Sequence, residues 1–347
     1  VPGGLITEDC GDTWANACDL QYALATKSLP GDELWIKAGT YKPTTAADRT
    51  VSFVLKNGLA LYGGFAGTET SRDERDWEEN VTILSGDIGT VGNSSDNSYH
   101  VVTGVTGATL DGVTISGGNA NGSDSPNDLG GGMYNDHANP TVINVTFSGN
   151  SAAAGGGMDN VFSSPTLTNV TFSSNSAAWS GGGIYNYDGN PTLTNVTFSG
   201  NSATYGGGMI NDSASPTVIN VTFSGNSAAD GGGMFNDHAS PTVINVTFSG
   251  NSAGDYGGGM YNNSSGPVIQ NAVLWGDSAT NGAEIYNSDS TTTISSSDIQ
   301  GCMPGGVWNT ACGTDGGGNL DADPLLGALG DYGGFTQTLP LLPGSAA

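Results

Sequence analysis

The chain has 347 residues, with 33 acidic against 7 basic side chains and a formal net charge of −26. All seven bases (Lys27, Lys37, Lys42, Arg49, Lys56, Arg72 and Arg75) precede residue 76, so most of the chain repels phosphate and anionic lipid, which excludes nucleic acid and acidic membrane surfaces as partners. No apolar run approaches the length of a membrane span, and 57 glycines with 36% apolar residues suit a narrow, much-bent core better than a globule.

Residues 1–31 read as an N-terminal cap. Cys10 and Cys18 flank a short loop, and Asp19 is placed to N-cap a short helix in which Leu20, Ala23 and Leu24 share one face. Such a helix lids the first coil of a stacked fold, whose hydrophobic end and strand edges would otherwise face water. Residues 32–129 read as irregular coils, with short apolar runs such as Glu33-Leu-Trp-Ile-Lys37 and Val51-Ser-Phe-Val-Leu55 bounded by Gly or polar turns. The charged segment from Ser71 to Glu79 projects as a loop, Asp111-Gly-Val-Thr-Ile115 is the first copy of a later motif with Gly112 in its Asn place, and residues 121–129 form a polar insert.

Residues 130–287 repeat one phrase almost without drift. Asn144, Asn169, Asn195, Asn220 and Asn245 follow one another at 25, 26, 25 and 25 residues, and Met133, Met158, Ile184, Met209, Met234, Met260 and Ile285 keep the same step. A period of this length marks a solenoid. Gly, Pro and β-branched residues without any helical recurrence make its elements strands. Val142 is aliphatic in every copy, while its neighbour Ile143 becomes Thr168 and Thr194; beyond Asn144 the constant apolar positions are Val145 and Phe147. Inward parity therefore slips by one at the Asn, which implies a corner there. Asn tolerates the left-handed backbone of a corner, and its amide bonds to the same side chain one coil up. A second Asn column, Asn135, Asn160, Asn186, Asn211, Asn236, Asn262 and Asn287, follows the GGGM strand. The expected fold is all-β: a single-stranded right-handed parallel β-helix with three strands and about 25 residues per coil. From residue 32 onward there is room for roughly twelve coils and a rod on the order of 60 Å.

Residues 288–347 read as degenerate coils and a C-terminal cap. Asn271-Ala-Val-Leu-Trp275 and Ser296-Ser-Asp-Ile-Gln300 keep the step; a second cysteine loop, Cys302 to Cys312, and a Leu-Pro-Leu-Leu-Pro tail close the far end. Four cysteines allow three connectivities; locality favours Cys10 with Cys18 and Cys302 with Cys312, because the ends of a rod do not meet. Disulfides imply an oxidising compartment. A chain that starts at Val1 fits a mature product whose signal peptide has been removed, so the expected location is extracellular or at the cell surface.

With these motifs in view, the chain resembles the right-handed β-helix proteins of the pectin-lyase-like fold class. Its glycine runs and F-x-x-N repeats, as in Phe147-Ser-Gly-Asn150, resemble those of bacterial surface adhesins and polymorphic outer-membrane proteins. The tail from Asp321 is similar to the C-terminal region of bacterial secreted β-helix proteins that carry a variable cell-surface anchor, a motif that normally continues beyond Ser-Ala-Ala.

Polysaccharide-cleaving β-helices use a basic side chain beside a metal-bound carboxylate, or paired carboxylates. The regular region holds no Lys or Arg, and Asp136, Asp159, Asp188, Asp212 and Asp237 recur near one corner, where a solvated turn residue is the ordinary explanation. His137 and His238 stand four coils apart, too far to share a metal, and read as turn residues. No D-x-D-x-D-G loop is present, so the acidic surface offers only a diffuse attraction for Ca²⁺, and no cofactor, metal or catalytic residue is assigned. The N-x-T matches at the first Asn column are read as structural, with buried amides. Asn80, Asn93, Asn121 and Asn263 are the candidate glycosylation sites. The expected function is an extracellular structural or adhesive rod whose partners are copies of itself, joined head to tail into a fibre, or glycans. The alternatives are a polysaccharide hydrolase or lyase sited near Arg72, Arg75 or His100, and a passive glycan-binding rod.

Overall fold

The computed structural model describes residues 10, 11 and 13–347; residues 1–9 and 12 of the N-terminal cap lie outside the described residues. The chain winds into a parallel β-solenoid of about 10 turns with ~26 residues per coil. Like pairs with like through the regular coils. Thr141, Thr166, Thr192, Thr217 and Thr242 lie side by side in one sheet, and Met133, Met158, Ile184, Met209, Met234, Met260 and Ile285 in another. We call these the Thr face and the Met face. Between them the sequence Ser-Ala-Ala forms a short extra strand, Ser151–Ala154 and its counterparts, whose small side chains make a weak strand signal.

The corner expected at Asn144 is present. Asn144, Asn169, Asn195, Asn220, Asn245 and Asn271 all have φ between 52° and 57°, and Val142 and Val145 on either side both point into the core. Phe147, Phe172, Phe198, Phe223 and Phe248 form a buried stack with ring centroids 4.6 to 5.0 Å apart, the spacing of parallel strands. The glycine run makes room for it. A Cβ on Gly157 would stand 2.6 Å from the Gly183 carbonyl oxygen and 2.7 Å from the Phe172 ring, and Gly155 before it turns the chain at φ +65°.

Two differences from expectation have physical causes. The number of coils falls below twelve because residues are spent on inserts: residues 66–81 fill the corner between Ala60–Phe65 and Thr82–Ser85, where other coils need a single Asn. The tail does not close the far end. It folds back as an antiparallel pair, Leu326 with Leu341 and Gly330 with Thr338, and runs along the Thr face. There the Thr197 hydroxyl donates to the Gln337 carbonyl oxygen at 2.7 Å, and Leu326, Leu339 and Leu341 line a groove together with Thr247 and Val273. Val273 stands there in place of the outward Thr of the regular repeat and gives those leucines an apolar surface. The disulfide loop covers the end instead. Cys302 and Cys312 are bonded and buried in the core, Trp308 packs on it, and the last ladder amide, Asn287, donates to the carbonyls of Ala311 and Cys312. At the other end Cys10 is bonded to Cys18, Asp19 N-caps Leu20–Tyr22, and Leu20 and Leu24 enter the core cluster. Both ends of the hydrophobic core therefore carry lids.

Candidate ligand-binding face

Three asparagine columns hold the coils, and only one is wholly external. Asn135 through Asn287 on the Met face form a chain of amide-to-amide hydrogen bonds of 2.8 to 2.9 Å, buried except at Asn287. The Asn144 column makes a similar ladder at 2.7 to 3.1 Å. Its amides were expected to be buried, but they sit on the outside of the corner, with Asn220 and Asn245 exposed. A left-handed corner turns its side chain outward, and the ladder forms there all the same. The third column, Asn150, Asn175, Asn201, Asn226 and Asn251, was missed although its F-x-x-N signal was visible. Each of these is buried, and each amide NH₂ reaches both the next ladder oxygen and a backbone carbonyl. Among the candidate glycosylation sites, Asn93 is exposed at a turn, the Asn121 oxygen accepts from Arg49, Asn263 donates to Asp237, and Asn80 is half-buried.

The Thr face is partly covered by the tail; the outward column of the Met face ranges from half-buried to buried. Side chains alternate across a strand, so the residue after each core Met or Ile points outward. This column reads Tyr134, Asp159, Tyr185, Ile210, Phe235, Tyr261, Tyr286. Rings also come from the neighbouring short strand: Tyr205 lies 5.8 Å from Phe235, and Tyr256 lies 5.8 Å from Tyr261 and 4.5 Å from Tyr286. Trp179 and Tyr205 are 65% and 39% exposed. Carboxylates stand among the rings: Asp212 accepts from the Tyr185 hydroxyl at 3.3 Å, and Asp230 and Asp255 flank Tyr256 in the same strands. His137 and His238, at the left-handed turn that ends the strand, each pair with the preceding aspartate at 2.6 and 2.8 Å.

Contrary to what the sequence suggests, Asp159 does not stand with the turn aspartates. It aligns with Tyr134 and Tyr185, whereas Asp136 aligns with Val161, Tyr187, Asp212 and Asp237. Asp159 is wholly buried and neither of its carboxyl oxygens meets a hydrogen-bond donor. Burial, with the charges of Asp128 and Asp136 adding to it, pushes its pKa far above the usual carboxylate range. The same surroundings, burial first, raise the Tyr134 hydroxyl to about 12. His100 stacks on Tyr134 at 5.1 Å, and its Nδ1 pairs with the Gly130 carbonyl oxygen. Burial holds the imidazole below its ordinary pKa, and its Nε2 has no partner.

A second buried acid pair sits where the internal ladder ends. Asp277 takes the Asn place and accepts from the Asn251 backbone N–H and side-chain NH₂ at 2.7 and 2.9 Å; Glu284 takes a glycine place and accepts from the Asp277 N–H. Burial raises both pKa values, and the Glu284 carboxyl raises that of Asp277 further.

The arginines suggested as an enzymatic base are engaged. Arg75 is buried beside Asp111, with Nη2 at 2.6 Å from Oδ2, and lies over the rings of Tyr62 and Trp77. Arg72 holds Glu33 at 2.8 Å. The two line an open cavity of about 400 Å³, but both guanidiniums are neutralised and tie the insert to the flank. Asp111 also receives the top of the external ladder, from the Asn144 amide. Among the described residues no group of three or more His, Cys, Asp or Glu side chains is placed to hold a metal ion, and no helix is long and apolar enough to cross a membrane.

Comparison with solved structures finds a pectate lyase, Pel9A, at TM-score 0.52 and 12% identity over 93% of this chain and 78% of that one, a likeness of fold. No curated protein matches the chain. A family model described as "Right handed beta helix region" matches residues 135–317, more than half of the chain and the same stretch that carries the ladders. The chain belongs to the right-handed β-helix family.

Proposed function

We propose that this protein is a non-catalytic adhesive rod of the cell surface or extracellular matrix that holds a polymeric glycan along its Met face. The observation that supports this is the placing of rings where the fold does not need them. In the column of Tyr134, Tyr185, Phe235, Tyr261 and Tyr286, Ile210 and Asp159 occupy equivalent positions with the strand pairing intact. Tyr134, Tyr185, Tyr261 and Tyr286 stay half-buried, with Trp179 and Tyr205 exposed beside them; such rings are costly for solubility and useful for stacking on flat apolar faces. The two disulfides fit an oxidising location. Head-to-tail fibres are left out of this proposal, because copies seated end to end would have to displace either the Leu20–Leu24 lid or the Trp308 loop. Retention on a panel of immobilised polysaccharides tests the role; a protein that passes through every matrix unretained would rule it out.

One observation favours a hydrolase as the second reading. Asp159, His100 and Asp128 of the polar insert break the repeat symmetry together around Tyr134. Release of reducing ends that disappears in both Asp159→Asn and Asp128→Asn would establish it.

A further inference from the structure

The rings on the Met face are interleaved with carboxylates, and that combination selects the charge of what lies on them. Aromatic faces attract cations held within about 6 Å, and carboxylates without donors gain most from an incoming one. Asp230 and Asp128 each keep one buried oxygen without a donor. Burial and the neighbouring Asp255 charge both disfavour the ionised form of Asp230. Among the described residues neither acid forms a salt bridge. Asp128 and Asp230 stand on coils about 19 Å apart, with the Tyr185 and Phe235 rings between and beside them. This geometry suits an extended polymer more than a single small cation.

Resting on the adhesive role above, we propose that the Met face binds a polysaccharide of amino sugars carrying free ammonium groups, its pyranose faces stacked on the ring column and its ammonium groups paired with Asp128, Asp230 and their neighbours. Uronate polymers are repelled by the same charges. A sugar polymer is favoured over a basic peptide because Tyr134, Tyr185 and Phe235 recur at two coil steps, roughly 10 Å, and the two-sugar repeat of an extended glycan is on that scale.

The test is co-sedimentation of the whole protein with a partially deacetylated β-1,4-linked aminoglucan, its fully acetylated form, an uncharged β-glucan, polygalacturonate and polylysine. We expect binding to the deacetylated polymer when its amines are protonated. It should weaken at least tenfold on acetylation and with rising salt, and at least tenfold again in Tyr185→Ile with Tyr261→Ile. Ile210 already occupies that column, so these variants keep the fold. Asp230→Asn should weaken binding without touching the rings. Polylysine binding equal to that of the aminoglucan and indifferent to the ring variants would overturn the glycan assignment in favour of simple charge attraction. Binding to the uncharged glucan alone would overturn the amino-sugar class while leaving the adhesive role standing, and binding to none of the polymers would overturn both.

Discussion

Truncating one asparagine of the internal ladder separates a structural column from a decorative one. The Asn201 oxygen accepts from the Asn175 N–H and NH₂, both at 3.0 Å, while its own NH₂ donates to the Phe172 carbonyl and the Asn226 oxygen, both at 2.9 Å. Asn201→Ala leaves the buried Asn175 N–H facing a methyl group, a loss of about 1–3 kcal/mol, and removes three further bonds at about 0.5–1.5 kcal/mol each, for roughly 2.5–7.5 kcal/mol in all. Asn220→Gly removes two ladder bonds as well, to Asn195 and from Asn245. That site is exposed, water replaces both bonds, and glycine accepts the 55° φ, so the loss is about 0.5–1 kcal/mol. Coils open locally in a solenoid, so the assay is native-state hydrogen exchange read amide by amide across residues 166–230. Opening free energies there should fall by the larger amount in Asn201→Ala and barely change in Asn220→Gly. Equal losses in the two variants would refute the distinction between internal and external ladders.

The buried acids set a pH dependence. Asp159, Asp277 and Glu284 have folded pKa values raised by burial, so their contribution is full below the ordinary carboxylate range and is lost as pH rises through the raised values. Urea midpoints should therefore fall as pH rises above the ordinary carboxylate range; Asp277→Asn, which restores the ladder residue, should raise the midpoint at the alkaline end and flatten the slope. A midpoint that rises with pH would contradict this. Phe198→Ala empties one place in a fully buried ring stack and should cost about 3–5 kcal/mol, seen as lost exchange protection in its own and adjacent coils. Replacing Cys302 and Cys312 together by serine should loosen residues 285–320 in hydrogen exchange while residues 141–250 keep their protection, because coils couple mainly to their neighbours; uniform loosening would speak against a local lid.

Much of the scaffold was legible because a solenoid writes its structure in columns. The parity slip between Val142 and Val145 revealed a corner that the backbone then makes with Asn144, and the helical face of Leu20, Ala23 and Leu24 marked a lid. The Ser-Ala-Ala strand was not legible, since alanine carries no period signal, nor was the buried Asn150 column, whose regularity resembles that of a turn. Asp159 was misplaced for a related reason: one aspartate per repeat looks like one column until strand pairing shows it standing among tyrosines. The tail was misread because Leu-Pro-Leu-Leu-Pro states that apolar surface will be covered but not which surface. The Met face emerged only when outward positions of successive coils were set side by side, since in the sequence its tyrosines are 25 to 76 residues apart.

The most direct measurement of the central claim is a double readout on one sample: the protein is incubated with insoluble polysaccharides, and bound protein and released reducing ends are quantified together. Retention that depends on Tyr185 and Tyr261, with no reducing ends above the polymer-only control, is the predicted result; chain cleavage that is lost on replacing Asp159 would contradict it.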